Sequence, residues 1–285
     1  MSAIASSWEL RESDPWNNPA WASRSRVRAA VPNLFVVPAF NEIENLPRLL
    51  EDLEARPELF PEGSRLFIVD DGSSDGTAEW VERYSGPVPT QLVSYGENRG
   101  PGYAFRAGFD AALAVCDDTD ANVVTLEADT TSDLNALHAM LGEIEAGAGL
   151  VLASVHGGGQ MVNVSLLRRF LSRCAGAAVR MLLGLDARTV SSFFRVYRAS
   201  VLREASHRYG DRLITETGFA CKAELLAKIA SLGTKIEEVP VDVDGSRRIG
   251  ASKMAIGPTL AGYWRLFRGT KFSDDSTAPS KVPAG

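Results

Sequence analysis

The feature that most constrains this chain is the run from Phe67 to Thr77, where an apolar segment ends in two adjacent carboxylates and a small polar turn. The run reads FIVDDGSSDGT, so that Asp70 and Asp71 stand where a buried strand would leave a sheet. Open α/β sheets bind ligands at the carboxyl ends of their strands. The run therefore predicts a buried strand followed by a ligand-binding turn.

Two further segments have the same design. Residues 34–42 (LFVVPAFNE) form an apolar run that ends in polar groups, and residues 123–129 (VVTLEAD) form another that ends in an acidic pair. Strand and helix patterns alternate through this half of the chain, which predicts a mostly parallel sheet flanked by helices. The predicted helices are 43–55, 77–84 with Asp75 at its N-cap, 103–115 and 134–146.

The second half has a different pattern. Its predicted elements are a helix at 164–183, strands at 191–197 and 235–243, a helix at 217–232, a loop rich in Arg, Gly and Ser at 244–253 and a last helix at 256–267. The polar segment 1–30, which carries three Trp, is predicted to be a partly disordered extension, and 273–285 a disordered tail. Residues 31–272 are predicted to form one domain. No run is apolar and long enough to predict a membrane-spanning helix.

Composition excludes several classes of function. The net charge of −6 argues against nucleic-acid binding through a globally basic surface. The three Cys lack metal-ligand spacing, which favours reduced thiols in a cytoplasmic protein. The three His are dispersed, which argues against a zinc site.

Together the three strand-end segments resemble the nucleotide-sugar-binding half of a family 2 glycosyltransferase of the GT-A fold. The family signatures P-x-Y/F-N-E, V-D-D-G-S-x-D-G-T and a D-x-D-like triplet match 38–42, 69–77 and 127–129 in that order. The resemblance implies a Rossmann-like, mostly parallel α/β sheet in a single domain. Residues 31–155 would bind a UDP- or GDP-sugar, and residues 156–272 would supply the acceptor-side elements.

The second half resembles the dolichol-phosphate mannose synthase-like branch of that family. Residues 191–197 resemble its T-S-G-F-R-x-Y segment, residues 218–224 its G-Y-x-F-x-x-E helix, and residues 239–241 with 247–253 its E-V-P-I and R-x-x-G-x-S-K ending. This implies a lipid-phosphate acceptor. Two departures, Phe193 in place of Gly and 153–156 (ASVH) in place of G-T/S-R-Y, leave a small-molecule or glycan acceptor open.

The resemblance also assigns roles on the donor side. Asp70 or Asp71 would contact the nucleobase or ribose, and Arg99, in the family's N-R-G-x-G loop, would reach the diphosphate. The opposite wall of the nucleotide slot would be formed by Pro38, Ala39, Asn41 and Glu42.

Glu127 and Asp129 occupy alternate positions at a strand end and therefore point to the same side. There they can share one divalent cation with a diphosphate, which suits Mg²⁺ or Mn²⁺. Glu127 departs from the usual Asp of the triplet, and a solvated acidic turn is the alternative interpretation.

The basic loop and one further acid complete the predicted site. Arg247, Arg248 and Lys253 can fold over phosphates and exclude water, unless they form a solvated basic loop. For an inverting transfer, a phosphate acceptor needs no general base, whereas a hydroxyl acceptor would need one. Glu216 is the candidate base, with a helix N-terminal acid favoured by the dipole as its alternative role.

Other interpretations stay open at this point. A catalytically silent nucleotide-sugar-binding protein would have the same fold, and a sugar-phosphate nucleotidyltransferase is disfavoured because its Gly-rich phosphate loop is absent. The basic amphipathic helix at 164–183 is expected to pack on the sheet, with contact at the inner face of a membrane as the alternative. A homodimer is also left open.

Overall fold

The computed structural model describes residues 31–116, 121–155, 161–162, 187, 189–190, 192–250 and 256–269. The predicted N-terminal extension, the predicted helix at 164–183, Lys253 and the predicted tail lie outside these residues.

Strands and helices alternate from the first strand to the fifth. The strands are β1 (Asn33–Ala39), β2 (Arg65–Asp70), β3 (Thr90–Ser94), β4 (Asn122–Thr125), β5 (Leu150–Ser154), β6 (Met161–Val162), β7 (Arg195–Arg198), β8 (Ile236–Pro240) and β9 (Val243–Asp244). The α-helices are α1 (Leu46–Glu54), α2 (Thr77–Arg83), α3 (Pro101–Ala114), α4 (Leu137–Glu145), α5 (Ala199–Tyr209), α6 (Cys221–Ala230) and α7 (Ile256–Gly269).

The main sheet has seven strands in the order β3-β2-β1-β4-β7-β5-β8. The pairs β3–β2, β2–β1, β1–β4 and β5–β8 are parallel, and β7 lies antiparallel between β4 and β5. A separate two-stranded ladder joins β6 and β9. The sheet is therefore mostly parallel and flanked by helices, as the sequence predicts.

The central strands are buried on both faces, which explains their continuous apolar sequences. Successive side chains of a strand point to opposite faces. Leu34 and Val36 accordingly pack with residues of α3, α5 and α6, whereas Phe35 and Val37 pack with residues of α1 and α4. Each such side chain contributes about 1.5–3 kcal/mol when it is fully buried.

One predicted helix start and one predicted N-cap differ from the structure. Helix α1 begins at Leu46 instead of residue 43, because the backbone N–H groups before it donate to side chains of another loop. At α2 the N-cap is Gly76 and not Asp75, and the Asp75 carboxylate accepts from Thr77 N instead.

Three boundaries in the second half also differ from the prediction. The helix predicted from residue 217 begins at Cys221, because residue 217 belongs to a loop that contacts α3, where Gly102 N donates to Thr217 O. The strand predicted at 235–243 divides into β8 and β9, because β9 pairs with β6 instead of β5. The strand predicted from residue 191 begins at Arg195. None of the helices described here has the length and apolar character needed to cross a bilayer.

Candidate active site

Three predicted polar segments emerge at one edge of the sheet. In the parallel register, Ala39 at the end of β1 is level with Asp70 at the end of β2, and β4 lies on the other side of β1. The loops that follow these strands therefore leave the sheet side by side. Pro38 and Ala39 belong to β1 itself, and Asn41 and Glu42 to the loop after it.

The Gly-Ser-Ser-Asp-Gly-Thr turn after β2 holds the loop after β1 in place. Three consecutive N–H groups of that loop donate to three side chains of the turn. The pairs are Asn41 N with Ser73 Oγ (2.9 Å), Glu42 N with Thr77 Oγ1 (2.9 Å) and Ile43 N with Asp75 Oδ2 (3.1 Å). Asn41 has a left-handed φ of 53°, a conformation that Asn tolerates better than most residues. The turn therefore fixes one wall of the predicted slot.

Asp75 has a pKa below its ordinary value. Burial alone would raise this pKa, but hydrogen bonds from Thr77 Oγ1, Ile43 N and Thr77 N favour the ionised carboxylate and lower it. Asp75 is therefore an ionised structural acid of the loop.

Asp71 is buried and organises the loop between β3 and α3. Its carboxylate accepts from Tyr95 Oη (2.8 Å), Arg99 N (2.7 Å) and Gly100 N (2.9 Å). Burial, and then the hydrogen bond to Asp71, raise the pKa of Tyr95 well above its usual range, so the phenol remains a donor.

Asp70 is also buried, and it has fewer partners than Asp71. It accepts from Ser73 N (3.2 Å) and Ser94 Oγ (3.3 Å). The structure thus places both predicted nucleoside-contacting acids at the strand edge, each with protein donors of its own.

The predicted metal-binding acids converge on one hydroxyl. Thr131 Oγ1 lies 3.3 Å from Glu127 Oε2 and 2.6 Å from Asp129 Oδ1. Thr130, between the acids and this hydroxyl, has a φ of 61°, which is unusual for a β-branched residue. Such strain persists where surrounding contacts fix the backbone, and the Thr130 hydroxyl donates to Arg247 O at 3.1 Å.

The basic loop lies over this acidic pair. The guanidinium of Arg248 forms an ion pair with Asp129, and the guanidinium of Arg247 forms one with Asp52 of α1. Asn45 binds both backbone polar groups of Ile249 in this loop. Its side chain accepts from Ile249 N (3.0 Å) and donates to Ile249 O (3.1 Å). Arg247 and Arg248 are therefore held at the site.

Two further predicted site residues, Glu216 and Arg99, form ion pairs with other side chains. Glu216 makes a two-point ion pair with Arg265 of α7, with N–O distances of 3.0 and 2.7 Å. The Arg99 guanidinium pairs with Glu97 and lies 4.6 Å from the ring centre of Tyr103. Arg99 is nevertheless tied to the site through its backbone N–H, which donates to Asp71.

The first turn of α3, just after Arg99, contacts the loop that carries Glu216. Gly102 N donates to Thr217 O at 2.9 Å, and a Cβ on Gly102 would lie 1.9 Å from Glu216 O. Only glycine permits this approach.

Comparison with known proteins identifies the family. Residues 34–205 match the Glycosyl transferase family 2. The chain belongs to this family. It is 32% identical over 227 residues to the undecaprenyl-phosphate mannosyltransferase of Micrococcus luteus, covering 79% of this chain and 88% of that protein. It is 29% identical to the polyprenol monophosphomannose synthase of Mycolicibacterium smegmatis, covering 80% and 83%.

Solved structures agree on the fold. A crystal structure of glucosyl-3-phosphoglycerate synthase from Mycobacterium tuberculosis, in complex with Mn²⁺, UDP and phosphoglyceric acid, superposes with a TM-score of 0.57 at 18% identity. The match covers 87% of this chain and 80% of that one. The GT-A fold predicted from the sequence is confirmed, and this family 2 chain is a glycosyltransferase.

The acidic pair of this family 2 chain suits a cation that also binds phosphate. Among the described residues, no group of three or more His, Cys, Asp or Glu side chains is placed to hold a metal ion. Glu127 and Asp129 supply hard oxygen donors around one point. Mg²⁺ is commonly held by one or two carboxylates, with phosphates and waters completing its shell. The donor set therefore fits Mg²⁺ or Mn²⁺ together with a diphosphate.

Several residues at the site were missed by the sequence prediction. Thr131 joins the two acids predicted to bind metal, Tyr95 supports Asp71, and Arg265 pairs with Glu216. The sequence does contain a pattern that points to Thr131, because it continues the alternate spacing of Glu127 and Asp129. No local pattern points to Arg265 or Asn45, since each binds a residue far away in the sequence.

Proposed function

We propose that this chain is an inverting, metal-dependent glycosyltransferase that moves a sugar from a UDP- or GDP-sugar to a lipid-phosphate acceptor. The observation that carries the proposal is the convergence of Glu127, Asp129 and the basic loop beside Asp70 and Asp71. The basic loop can bind the phosphates directly, and the acids can hold a cation that binds them as well. The names of the curated relatives support the acceptor class, since they describe undecaprenyl-phosphate and polyprenol sugar transfer.

On the donor side, the nucleoside would lie between the loops after β1 and β2. Pro38, Ala39, Asn41 and Glu42 would form one wall, and Asp70 or Asp71 would contact the base or ribose from the other. Arg99 would have to leave Glu97 to reach the diphosphate, a small cost for a pair with exposed partners.

At the diphosphate, Glu127 and Asp129 would hold a divalent cation. When bound, this cation offsets the charge that develops on the departing nucleoside diphosphate. Arg247 and Arg248 would add positive charge on the same side and exclude water. Lys253, which lies outside the described residues, is proposed to act with them.

The acceptor determines whether a base is needed. A lipid phosphate is already a nucleophile, so Glu216 would then act as the partner of Arg265 and not as a base. A hydroxyl acceptor would require Glu216 to leave Arg265 and take a proton. Because the curated relatives are phosphate-acceptor enzymes by name, we favour the first arrangement.

A lipid acceptor places the enzyme at a membrane surface, and α7 supports this. Leu260 and Trp264 are 54% and 60% exposed and lie one helical turn apart, with Arg268 a further turn along. Exposed apolar side chains beside cations suit the boundary of an anionic bilayer. We therefore place the protein in the cytoplasm, in peripheral contact with the inner face of the membrane.

The transfer reaction can be tested with purified protein. UDP- and GDP-sugars are incubated with Mn²⁺ and either undecaprenyl phosphate in detergent or hydroxyl acceptors, and products are followed by mass spectrometry. We expect a sugar–phospholipid with inverted anomeric configuration, read by NMR. Asp129→Asn should lower the rate by about a hundredfold or more, since cation contacts at a leaving group are worth several kcal/mol.

A matched control is Glu145→Gln, an exposed acid at the opposite end of α4, which should retain the wild-type rate. Calorimetric binding of nucleotide sugars without transfer to either acceptor class would contradict the proposal and favour a silent binding protein.

Membrane contact has its own test. Flotation with vesicles containing anionic phosphatidylglycerol should recover the wild-type protein, and Leu260→Ser with Trp264→Ser should weaken this binding about tenfold or more, from the apolar area lost. Equal flotation of both proteins would exclude α7 as the contact.

A further inference from the structure

The Asp129 carboxylate already pairs with a cationic side chain of the protein, that of Arg248. Its Oδ1 accepts from Thr131 N (3.0 Å) and Thr131 Oγ1 (2.6 Å), and its Oδ2 pairs with the guanidinium of Arg248. The Asp129 side chain is only 3% exposed, and that of Arg248 is 25% exposed. The oxygen that points away from Thr131 is therefore covered by positive charge from the chain itself.

Arg248 is placed there by its backbone neighbours on both sides. On one side, Arg247 O accepts from Arg48 Nη1 (2.8 Å) and from Thr130 Oγ1 (3.1 Å). On the other side, Ile249 is bound twice by Asn45. Contacts from two separate segments thus present the guanidinium to Asp129, which distinguishes it from a solvated surface arginine.

A guanidinium and a divalent cation cannot both use Asp129 Oδ2. Each would repel the other at contact distance in a partly buried site, where charges interact more strongly than in water. If Arg248 moved away from Asp129 with no other anion present, its guanidinium would lose its ion-pair partner. A nucleoside diphosphate supplies such an anion, because guanidinium pairs well with phosphate oxygens.

We propose that Arg248 and a divalent cation are alternative partners of Asp129, so that the cation enters efficiently only together with a nucleoside diphosphate. In the ligand-free protein, Arg248 keeps the carboxylate neutralised. When the diphosphate arrives, Arg248 transfers from Asp129 to the phosphates and leaves Oδ2 to the cation. The two ligands are thereby coupled through one side chain, and the coupling acts equally in both directions.

This inference rests on the proposed donor and metal site, but it does not require sugar transfer. Its test is therefore a binding measurement. Mn²⁺ affinity is measured by electron paramagnetic resonance of free Mn²⁺, first with the metal alone and then with saturating UDP or GDP. The proteins are wild type, Arg248→Gln, Asp129→Asn, and Arg83→Gln as a control with the same change of charge at the far end of α2.

With Mn²⁺ alone, Arg248→Gln should bind the metal about tenfold or more tightly than wild type, the range expected for loss of one competing charge-assisted contact. Arg83→Gln should match wild type, and Asp129→Asn should lose binding. With nucleoside diphosphate, the advantage of Arg248→Gln should shrink or reverse, because the variant lacks the phosphate contact.

Equal Mn²⁺ affinity of wild type and Arg248→Gln would overturn the inference, and so would the absence of Mn²⁺ binding in every protein. Tighter binding in Arg248→Gln, combined with no sugar transfer by wild type, would leave this inference standing and reject the proposed function.

Discussion

At the residue scale, the carboxylates of this site have distinct functions that their spacing alone does not reveal. Asp75 orders the loop after β1, Asp71 orders the loop before α3, and Asp129 faces the basic loop. Acids at the same end of the sheet therefore differ in how much of each carboxylate remains for a ligand.

The function of Asp75 predicts a pH dependence of stability. Its folded-state pKa lies below the ordinary value of 3.8, so its contribution is present above pH 3.8 and is lost as the pH falls through the lowered folded-state pKa. Asp75→Asn should therefore be less stable than wild type at pH 7, by on the order of 1 kcal/mol for the weakened hydrogen bonds. The difference should shrink below about pH 4.

Urea unfolding followed by circular dichroism at pH 7, 5 and 3.5 measures this difference. Glu145→Gln is the control, and a constant gap between wild type and Asp75→Asn at all three pH values would show that the carboxylate charge is not involved.

Tyr95 gives a second prediction at this scale. Tyr95→Phe removes one of the donors to the buried Asp71 carboxylate, which should cost about 1–3 kcal/mol of stability. Nucleoside diphosphate affinity should also fall, because the loop that carries Arg99 depends on the same carboxylate. Chemical unfolding measures the stability, and calorimetry measures the nucleoside diphosphate affinity. Wild-type affinity in a destabilised variant would show that the contacts of Asp71 do not contribute to nucleotide binding.

At the element scale, the first turn of α3 is in close contact with the loop at 215–217, which carries Glu216. Gly102→Ala places a methyl group against the backbone oxygen of Glu216, and neither backbone can yield easily. We expect a loss of about 1–3 kcal/mol in unfolding free energy, as for other overpacked positions.

The matched control for this change is Gly257→Ala, since a Cβ on Gly257 of α7 would meet no atom within 4 Å. It should leave stability unchanged or raise it by up to about 1 kcal/mol. Equal effects of the two substitutions on the denaturation midpoint would contradict the packing argument.

The same loop is also held by an ion pair within α6. Glu224, which is 1% exposed, accepts from Thr215 N and Glu216 N and pairs with Lys228. Glu224→Gln should destabilise the protein by about 3–5 kcal/mol, because it leaves the Lys228 charge buried without its partner.

Adding Lys228→Met to Glu224→Gln removes that unpaired charge, so the double variant should recover part of the lost stability. A double-mutant cycle in urea measures the coupling. Additive losses would show that the two side chains act independently.

The sequence predicted the strands of the first half and their acidic ends well, because each is a local pattern of apolar run and polar stop. It did not predict where helices α1 and α6 begin, because residues just before them bind other segments: Ile43 N donates to Asp75, and Thr217 O accepts from Gly102 N of α3. Nor did it predict that Arg248 lies on Asp129. That contact depends on Asn45 binding Ile249 across 204 residues, which no local pattern records.

At the scale of the whole molecule, the two halves of the chain close one site between them. Residues 247–249 from the second half contact α1 and the β4 loop from the first half. A ligand held between these parts should stabilise the complete fold.

Saturating UDP or GDP with Mn²⁺ should therefore raise the free energy of unfolding, by about 2.7 kcal/mol at a hundred times the dissociation constant. Amide hydrogen exchange should slow in residues 45–52 and 245–250 in particular. Protection confined to residues 38–42 and 70–77 would show that the basic loop takes no part in donor binding.

The position of β7 has a consequence for synthesis on the ribosome. β7 fills the space between β4 and β5, and Arg195 pairs with Thr125 across 70 residues. Until β7 has emerged, one edge of β4 and both edges of β5 lack their partners, because β8 follows later still, and such edges are templates for pairing with other chains. A fragment ending at residue 155 should therefore aggregate on expression, and the nascent chain should depend on chaperones until its second half arrives.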